Sequence, residues 1–154
     1  MNAEFINPFI SALINVMSTM AQIELKPGKP KRKSDDKAGG DISGLIGMVG
    51  ENIKGSLSIS FEENLVLEIM DKMLGERPAS INADVKDMVG EITNMICGGA
   101  KNELSQKGFE FGMATPMVVS GKNHTVDHQV DGKKIILPFS HISGNLYLEM
   151  CFND

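Results

Sequence analysis

The chain lacks the features that mark several common protein classes. Among its 154 residues no apolar run approaches the roughly 20 residues needed to cross a bilayer. No basic N-terminal segment leads into an apolar stretch and a small-residue cleavage site. A cytoplasmic chain with no membrane contact is therefore expected. The two cysteines, Cys97 and Cys151, have neither CxxC spacing nor the density of a disulfide-built secreted domain, so both read as reduced, semi-buried small side chains. Positive charge is also short: a formal net charge of −5 argues against a general nucleic-acid binder, whose affinity rests on neutralising phosphates. A protein partner fits better. There is no glycine-rich phosphate loop, metal cluster or nucleophile–base pair to suggest an enzyme acting on a small metabolite.

What is present describes a folded chain of alternating helices and strands. Hydrophobic residues make up 42% of the sequence, enough for one domain, or two small halves, around a shared core. Phe9, Leu13, Val16 and Met20 recur at helical spacing, which predicts a helix from Phe5 to Met20 with Asn7 as its N-cap and Pro8 at the first helical position. The segment from Lys26 to Asp41 is basic, then acidic, then glycine-bearing, and reads as an exposed arm whose charges discourage stray strand pairing. Strands are expected at Leu45 to Val49 and Gly55 to Phe61. In the second, Leu57, Ile59 and Phe61 alternate with serines, giving one buried face and one polar face.

A helix from Glu62 to Leu74 should stop at Gly75 as its C-cap. A longer helix is expected from Ala83 to about Lys107. Strands follow at Phe109 to Val119, Lys133 to Phe139 and Gly144 to Phe152, separated by GKNH, DG and HISG turns.

The late strands have a precedent earlier in the chain. Aligning Gly55 with Gly144 pairs Ile46 with Ile135, Met48 with Leu137, Ile53 with Ile142, Leu57 with Leu146 and Ile59 with Leu148. At nearly the same offset, Glu4 and Asn7 meet Glu91 and Asn94. The expected architecture is α+β: two pseudo-repeated halves, each a long helix followed by antiparallel strands, with the helices packed on a mostly antiparallel sheet.

The second long helix carries the most informative pattern. At about 100° per residue, Asp87, Glu91, Asn94, Gly98 and Lys101 fall within roughly 80° of one another, while Val85, Met88, Val89, Ile92, Met95 and Ile96 lie opposite. A polar stripe is ordinarily just a solvated face. Gly98 is harder to account for, because an interior helical glycine costs about 1 kcal/mol relative to alanine and core packing cannot explain one on the wet side. Gly99 points to the apolar side, where close helix packing suffices. A missing side chain one turn beyond Glu91 and Asn94 would let another macromolecule approach.

The side-chain types narrow the chemistry. Glu91 can accept from a lysine or arginine, whereas Asn94 both accepts and donates without changing protonation state. That pair suits docking and the positioning of a water, not acid/base catalysis, which calls for two carboxylates or a tuned histidine. Hydrolysis of a labile phosphoanhydride or acyl phosphate needs little more than an oriented in-line water.

With these residues in view, the sequence resembles the CheC, CheX and FliY family of bacterial chemotaxis phosphatases. The family signature is an acidic or serine residue, three residues, Glu, two residues, Asn, then a proline about twenty residues on. Asp87, Glu91, Asn94 and Pro116 match it, and the GEITNM, TPMVVSG, LPFS and GSLSISF segments are most similar to CheX. The resemblance implies one CheX-like domain over residues 1–154, with halves of about 1–79 and 80–154. It implies hydrolysis of the aspartyl phosphate of a CheY-like response regulator. Glu91 would bridge to the lysine beside the phosphorylated aspartate, Asn94 would hold the attacking water, and Asp87, Gly98 and Lys101 would contact the partner. The regulator would bring the Mg²⁺, so this chain needs no metal or cofactor of its own; a homodimer with one site per chain is implied. The alternative is a receiver-binding or switch-complex module of the same fold without hydrolysis. Glu4 and Asn7 reproduce the Glu-x-x-Asn spacing, but an asparagine that caps its own helix is not free for catalysis.

Other motifs carry less. HTVDH, with His124, Asp127 and His128, would put both histidines on one face only in a helix, and the surrounding GKNHTVDHQVDG reads as turn and strand, so no metal site is expected. His141 stands alone in a turn. Asn123-His124-Thr125 matches a glycosylation acceptor that a cytosolic chain would not use. Most of the 11 methionines fall on apolar helix faces and read as core.

Overall fold

A computed structural model describes residues 3–51 and 53–153. Three helices, α1 (Ala3–Ala21), α2 (Glu63–Leu74) and α3 (Ala83–Ser105), pack on one face of an eight-stranded sheet. The strands are β1 (Lys26–Pro27), β2 (Lys31–Lys33), β3 (Ile42–Val49), β4 (Lys54–Phe61), β5 (Gly112–Met113), β6 (Met117–Ser120), β7 (Lys133–His141) and β8 (Gly144–Asn153). Their order is β1-β7-β8-β4-β3-β5, with β2 also on β7 and β6 also on β3, and every pairing is antiparallel. The architecture is the expected α+β arrangement.

Hydrophobic alternation explains which face the helices cover. Ile42, Ile46 and Met48 of β3 share a face with Leu57, Ile59 and Phe61 of β4 and with Leu146, Leu148 and Met150 of β8, and all are buried. Phe9, Leu13 and Met17 of α1, Ile69 of α2, and Val89, Ile92 and Ile96 of α3 close over them. Two contacts mark the centre of this packing. Ile59 and Leu148, equivalent in the sequence alignment, are also register partners. A Cβ built on Gly99 would lie 3.4 Å from the Cβ of Ala12, and those two positions are equivalent at the offset that aligns Glu4 with Glu91. A local two-fold relation thus runs between β4 and β8 and between α1 and α3.

Helix ends follow local chemistry. Asn82 caps α3 by accepting the Val85 N–H at 3.0 Å. Gly75 ends α2 at φ 76°, donating to the Asp71 carbonyl at 2.7 Å, as its position in sequence suggested.

Three sequence expectations need correction. Asn7 is not the N-cap of α1: the helix begins at Ala3, so Asn7 and Pro8 lie inside it and Asn7 is exposed. Pro8 is tolerated this near the start because the carbonyl it leaves without an N–H partner, that of exposed Glu4, lies in the first turn, where water can reach it. The stretch from Phe109 to Val119 is not one strand. It forms the short β5 and β6, broken at residues 114–116, where Pro116 has no N–H to give to the ladder.

The serine face of β4 is not solvated. Ser56, Ser58 and Ser60 are buried beneath residues 31–41 and 121–132, which are joined by the Lys37–Thr125 bridge and by Val126 N–H to Asp36 O at 2.7 Å. Buried polar groups there are nearly all paired. Lys33 Nζ donates to Glu149 Oε2 at 2.7 Å, His128 spans Ser56 Oγ (2.8 Å) and Glu149 Oε1 (3.3 Å), and the Gly40 N–H donates to Ser60 Oγ at 2.8 Å. Ser58 Oγ alone has no partner among the described residues.

Candidate functional site

The helix that carries the polar stripe is set down on the sheet by a glycine. Gly44 of β3 lies directly beneath Thr93 of α3, and a Cβ at Gly44 would overlap Thr93 Oγ1 and press on Val89. Thr93 turns its hydroxyl back to the Val89 carbonyl at 2.7 Å, so this inward polar atom is satisfied within the helix. With Val85, Val89, Ile92, Ile96, Ala100 and Leu104 all buried, the rotation of α3 about its axis is fixed. Sequence reading passed over Gly44. The available signal was a glycine interrupting the alternation of ISGLIGMV, which marks either a bulge or a close approach of another backbone.

That rotation turns the stripe outward. Asp87, Glu91 and Asn94 are exposed, and Gly98 and Lys101 are partly exposed. Among the described residues none of the four side chains on Asp87, Glu91, Asn94 and Lys101 makes a hydrogen bond or ion pair within the chain. An acid, an amide and an ammonium group are therefore displayed along one stiff rod with their hydrogen-bonding capacity unspent. The structure brings all five expected residues onto a single face.

The glycines of α3 differ in what they meet. A Cβ at Gly90 would lie 3.5 Å from Val118 on β6, and one at Gly99 would touch Ala12 on α1. A Cβ at Gly98 would find nothing within 4 Å. The chain's own packing therefore does not require Gly98 to be bare. Pro116, half-buried, leads into β6, which flanks the helix through the Gly90–Val118 approach.

Titratable groups near the stripe offer no nucleophile. Cys97 is buried on the inner side of α3, and loss of solvent pushes its thiol up to about 12 despite the opposing charge of Lys101, so it stays protonated at neutral pH. Cys151 is likewise raised by burial and donates to the Val130 carbonyl at 3.4 Å. His124 and His128 point to the far face of the sheet, where His124 Nε2 meets Ser43 Oγ at 2.7 Å and His128 joins the Glu149 network. Among the described residues no three His, Cys, Asp or Glu side chains gather in a metal-binding group. Glu4 and Asn7 are both exposed on α1.

Comparison with known proteins is consistent across sequence and structure. A family model described as chemotaxis phosphatase CheX matches residues 42–140. The CheY-P phosphatase CheX of Thermotoga maritima is 28% identical over 124 residues, covering 80% of this chain and 79% of that protein. A CheC-like superfamily protein of Shewanella sp. PV-4 is 66% identical in its crystal structure, with a TM-score of 0.95 and full coverage of both chains. CheX of Borrelia burgdorferi, solved in complex with CheY, BeF3 and Mg²⁺, is 25% identical with a TM-score of 0.81, covering 99% of this chain and 100% of that one.

Proposed function

The chain belongs to the CheX family of chemotaxis phosphatases, and on that premise we propose that it hydrolyses the aspartyl phosphate of a CheY-like receiver domain through Glu91 and Asn94. The observation that carries this reading is the unpaired Glu91/Asn94 display beside a glycine that the chain's own packing leaves free. Docking would bring the outer face of α3 to the partner's phosphorylated aspartate. Glu91 accepts from a partner cation next to that aspartate, which fixes the register of the two proteins. Asn94 then accepts from a water with its side-chain oxygen and holds it in line with the phosphorus.

The reaction needs no base on this chain. Attack by water forms a P–O bond, the bond from phosphorus to the aspartyl oxygen breaks, and the carboxylate leaves as an anion without protonation while the water's protons end on phosphate. The leaving group is stable as it departs, so positioning supplies the acceleration. Mg²⁺ belongs to the partner in this reading, in keeping with the CheY, BeF3 and Mg²⁺ complex of the Borrelia relative. Asp87, Gly98 and Lys101 contribute to docking, and the protein acts as a cytosolic homodimer. No helix among the described residues is long and apolar enough to cross a membrane.

The test is the decay of a phosphorylated receiver domain followed against enzyme concentration. Glu91→Ala should raise the concentration needed for half-maximal decay, because it removes a docking contact. Asn94→Ala should instead lower the maximal rate by about a hundredfold, the scale on which removing one preorganised polar group slows an enzyme. A wild-type protein that binds the phosphorylated receiver without hastening its decay would point to the receiver-binding module instead.

A further inference from the structure

A cavity of about 500 Å³ lies at the edge of the sheet where β2, the start of β7 and the end of β8 meet, and no residue of α3 lines it. Strand register explains its composition. Arg32 pairs with Ile135 and Lys133 pairs with Phe152, so these four share the helix-side face. Phe152 forms an apolar floor, its ring packed edge-on against Phe5 at 4.6 Å, and half-buried Ile135 extends it. Gly132 leaves one wall without a side chain, because a Cβ there would collide with the Phe152 carbonyl.

The charges on the two faces of this edge are treated differently. On the opposite face Lys33 and Lys134 are neutralised by Glu149 at 2.7 Å and Asp36 at 2.6 Å, while Lys31, at the mouth of the cavity, has no ion pair among the described residues. Among the described residues Arg32 and Lys133 have no ion pair, and Asp131 is the one carboxylate in the lining. A charged edge that merely resists strand pairing needs cations, but it has no use for a hollow with an aromatic floor. The volume falls within the range of small-ligand pockets, and an arginine fork beside a lysine suits an oxyanion that can accept two parallel N–H bonds.

We infer that this cavity binds a small organic anion, with an apolar body on Phe152 and Ile135 and a carboxylate, sulfonate or phosphate group held by Arg32 and Lys133. It is separate from the α3 stripe and takes a ligand that the phosphatase reaction does not involve.

The probe is 8-anilinonaphthalene-1-sulfonate titrated into the full chain, followed by fluorescence and by amide chemical shifts. One saturable site per chain is expected, weakened by added salt and by about tenfold or more in Arg32→Glu and Lys133→Glu. Shifts should cluster at Gly132, Lys133, Ile135 and Asn153, and decay of a phosphorylated receiver should be unchanged in both variants. If charge reversal lowers the melting temperature, Arg32→Gln and Lys133→Gln replace it, with weakening by about threefold or more expected. The inference is overturned by unsaturable binding, by affinity indifferent to these substitutions, or by equal binding of the uncharged N-phenyl-1-naphthylamine. Sedimentation with phosphatidylglycerol vesicles that depends on Arg32 and Lys133 would also overturn it, by assigning the basic edge to a lipid surface.

Discussion

Replacing Gly98 with alanine should change stability and activity in opposite directions. An interior helical glycine costs about 1 kcal/mol relative to alanine, through backbone entropy in the unfolded chain. A Cβ at Gly98 meets no atom within 4 Å and Gly98 lies inside a regular helix, so no clash or strain offsets that gain. Gly98→Ala is therefore expected to stabilise the protein by about 0.5–1 kcal/mol, raising the melting temperature by about 2 °C. The same methyl group would stand on the surface proposed to dock the receiver domain. Half-maximal decay of the phosphorylated partner should then need more enzyme, and Gly98→Leu should magnify the defect while keeping the fold. Gly99→Ala is the control at the next position: it is exposed and its Cβ would make only ordinary contact with Ala12 of α1 at 3.4 Å, so stability should rise by a similar amount while half-maximal decay stays at the wild-type enzyme concentration. Thermal melts read alongside decay kinetics separate the two. A Gly98→Leu protein that works at wild-type enzyme concentrations would refute close approach at this position, and a destabilised Gly98→Ala would refute the helix environment described for it.

Three further outcomes follow from the packing. Gly44→Ala forces a methyl group into Thr93 and should destabilise by about 2 kcal/mol or more in denaturant unfolding, lowering phosphatase activity because α3 itself is displaced. Glu149→Ala removes the carboxylate shared by Lys33 and His128 in the buried face, leaving Lys33 with the Lys37 carbonyl and a 3.9 Å approach to Asp35, at a cost of about 3 kcal/mol. Burial alone would raise the Glu149 pKa, but the hydrogen bonds from His128 and Lys33, with the charge of Lys33, hold it below the ordinary carboxylate range. Its stabilising contribution is therefore complete above the unfolded-state value of about 4.3 and is lost as the pH falls through the folded-state value, so the variant should show a flattened acid limb in stability against pH. Cys97, with its thiol near 12, should resist iodoacetamide at pH 8 in the folded protein and react on unfolding; fast labelling of the native state would contradict its burial.

Much of this architecture was legible because periodicity reports directly on burial. The 3.6-residue spacing of Val85, Val89, Ile92 and Ile96 located the inner face of α3, and with it the outward direction of Glu91 and Asn94. Gly75 ended α2 where an αL residue was needed. The serines of β4 show the limit of the method: alternation tells which residues share a face, but not that residues 31–41 and 121–132 fold over it. The network through His128, Glu149 and Lys33 joins residues far apart in sequence, and no local pattern announces it. Asn7 was misread because Asn-Pro is a common helix start, yet α1 reaches four residues further back. The side-chain types of Glu91 and Asn94, with Gly98, suggested docking and a positioned water, whereas the substrate, an aspartyl phosphate beside a lysine, came from family resemblance.

In the proposed mechanism the Asn94 amide orients the water that attacks the partner's phosphoryl group. Phosphate release from a phosphorylated receiver domain saturated with Asn94→Ala protein, with binding measured in the same samples, isolates that role. Binding should be undiminished and release slowed by about a hundredfold, towards the receiver's own rate. Release at the wild-type rate from the saturated complex would contradict it.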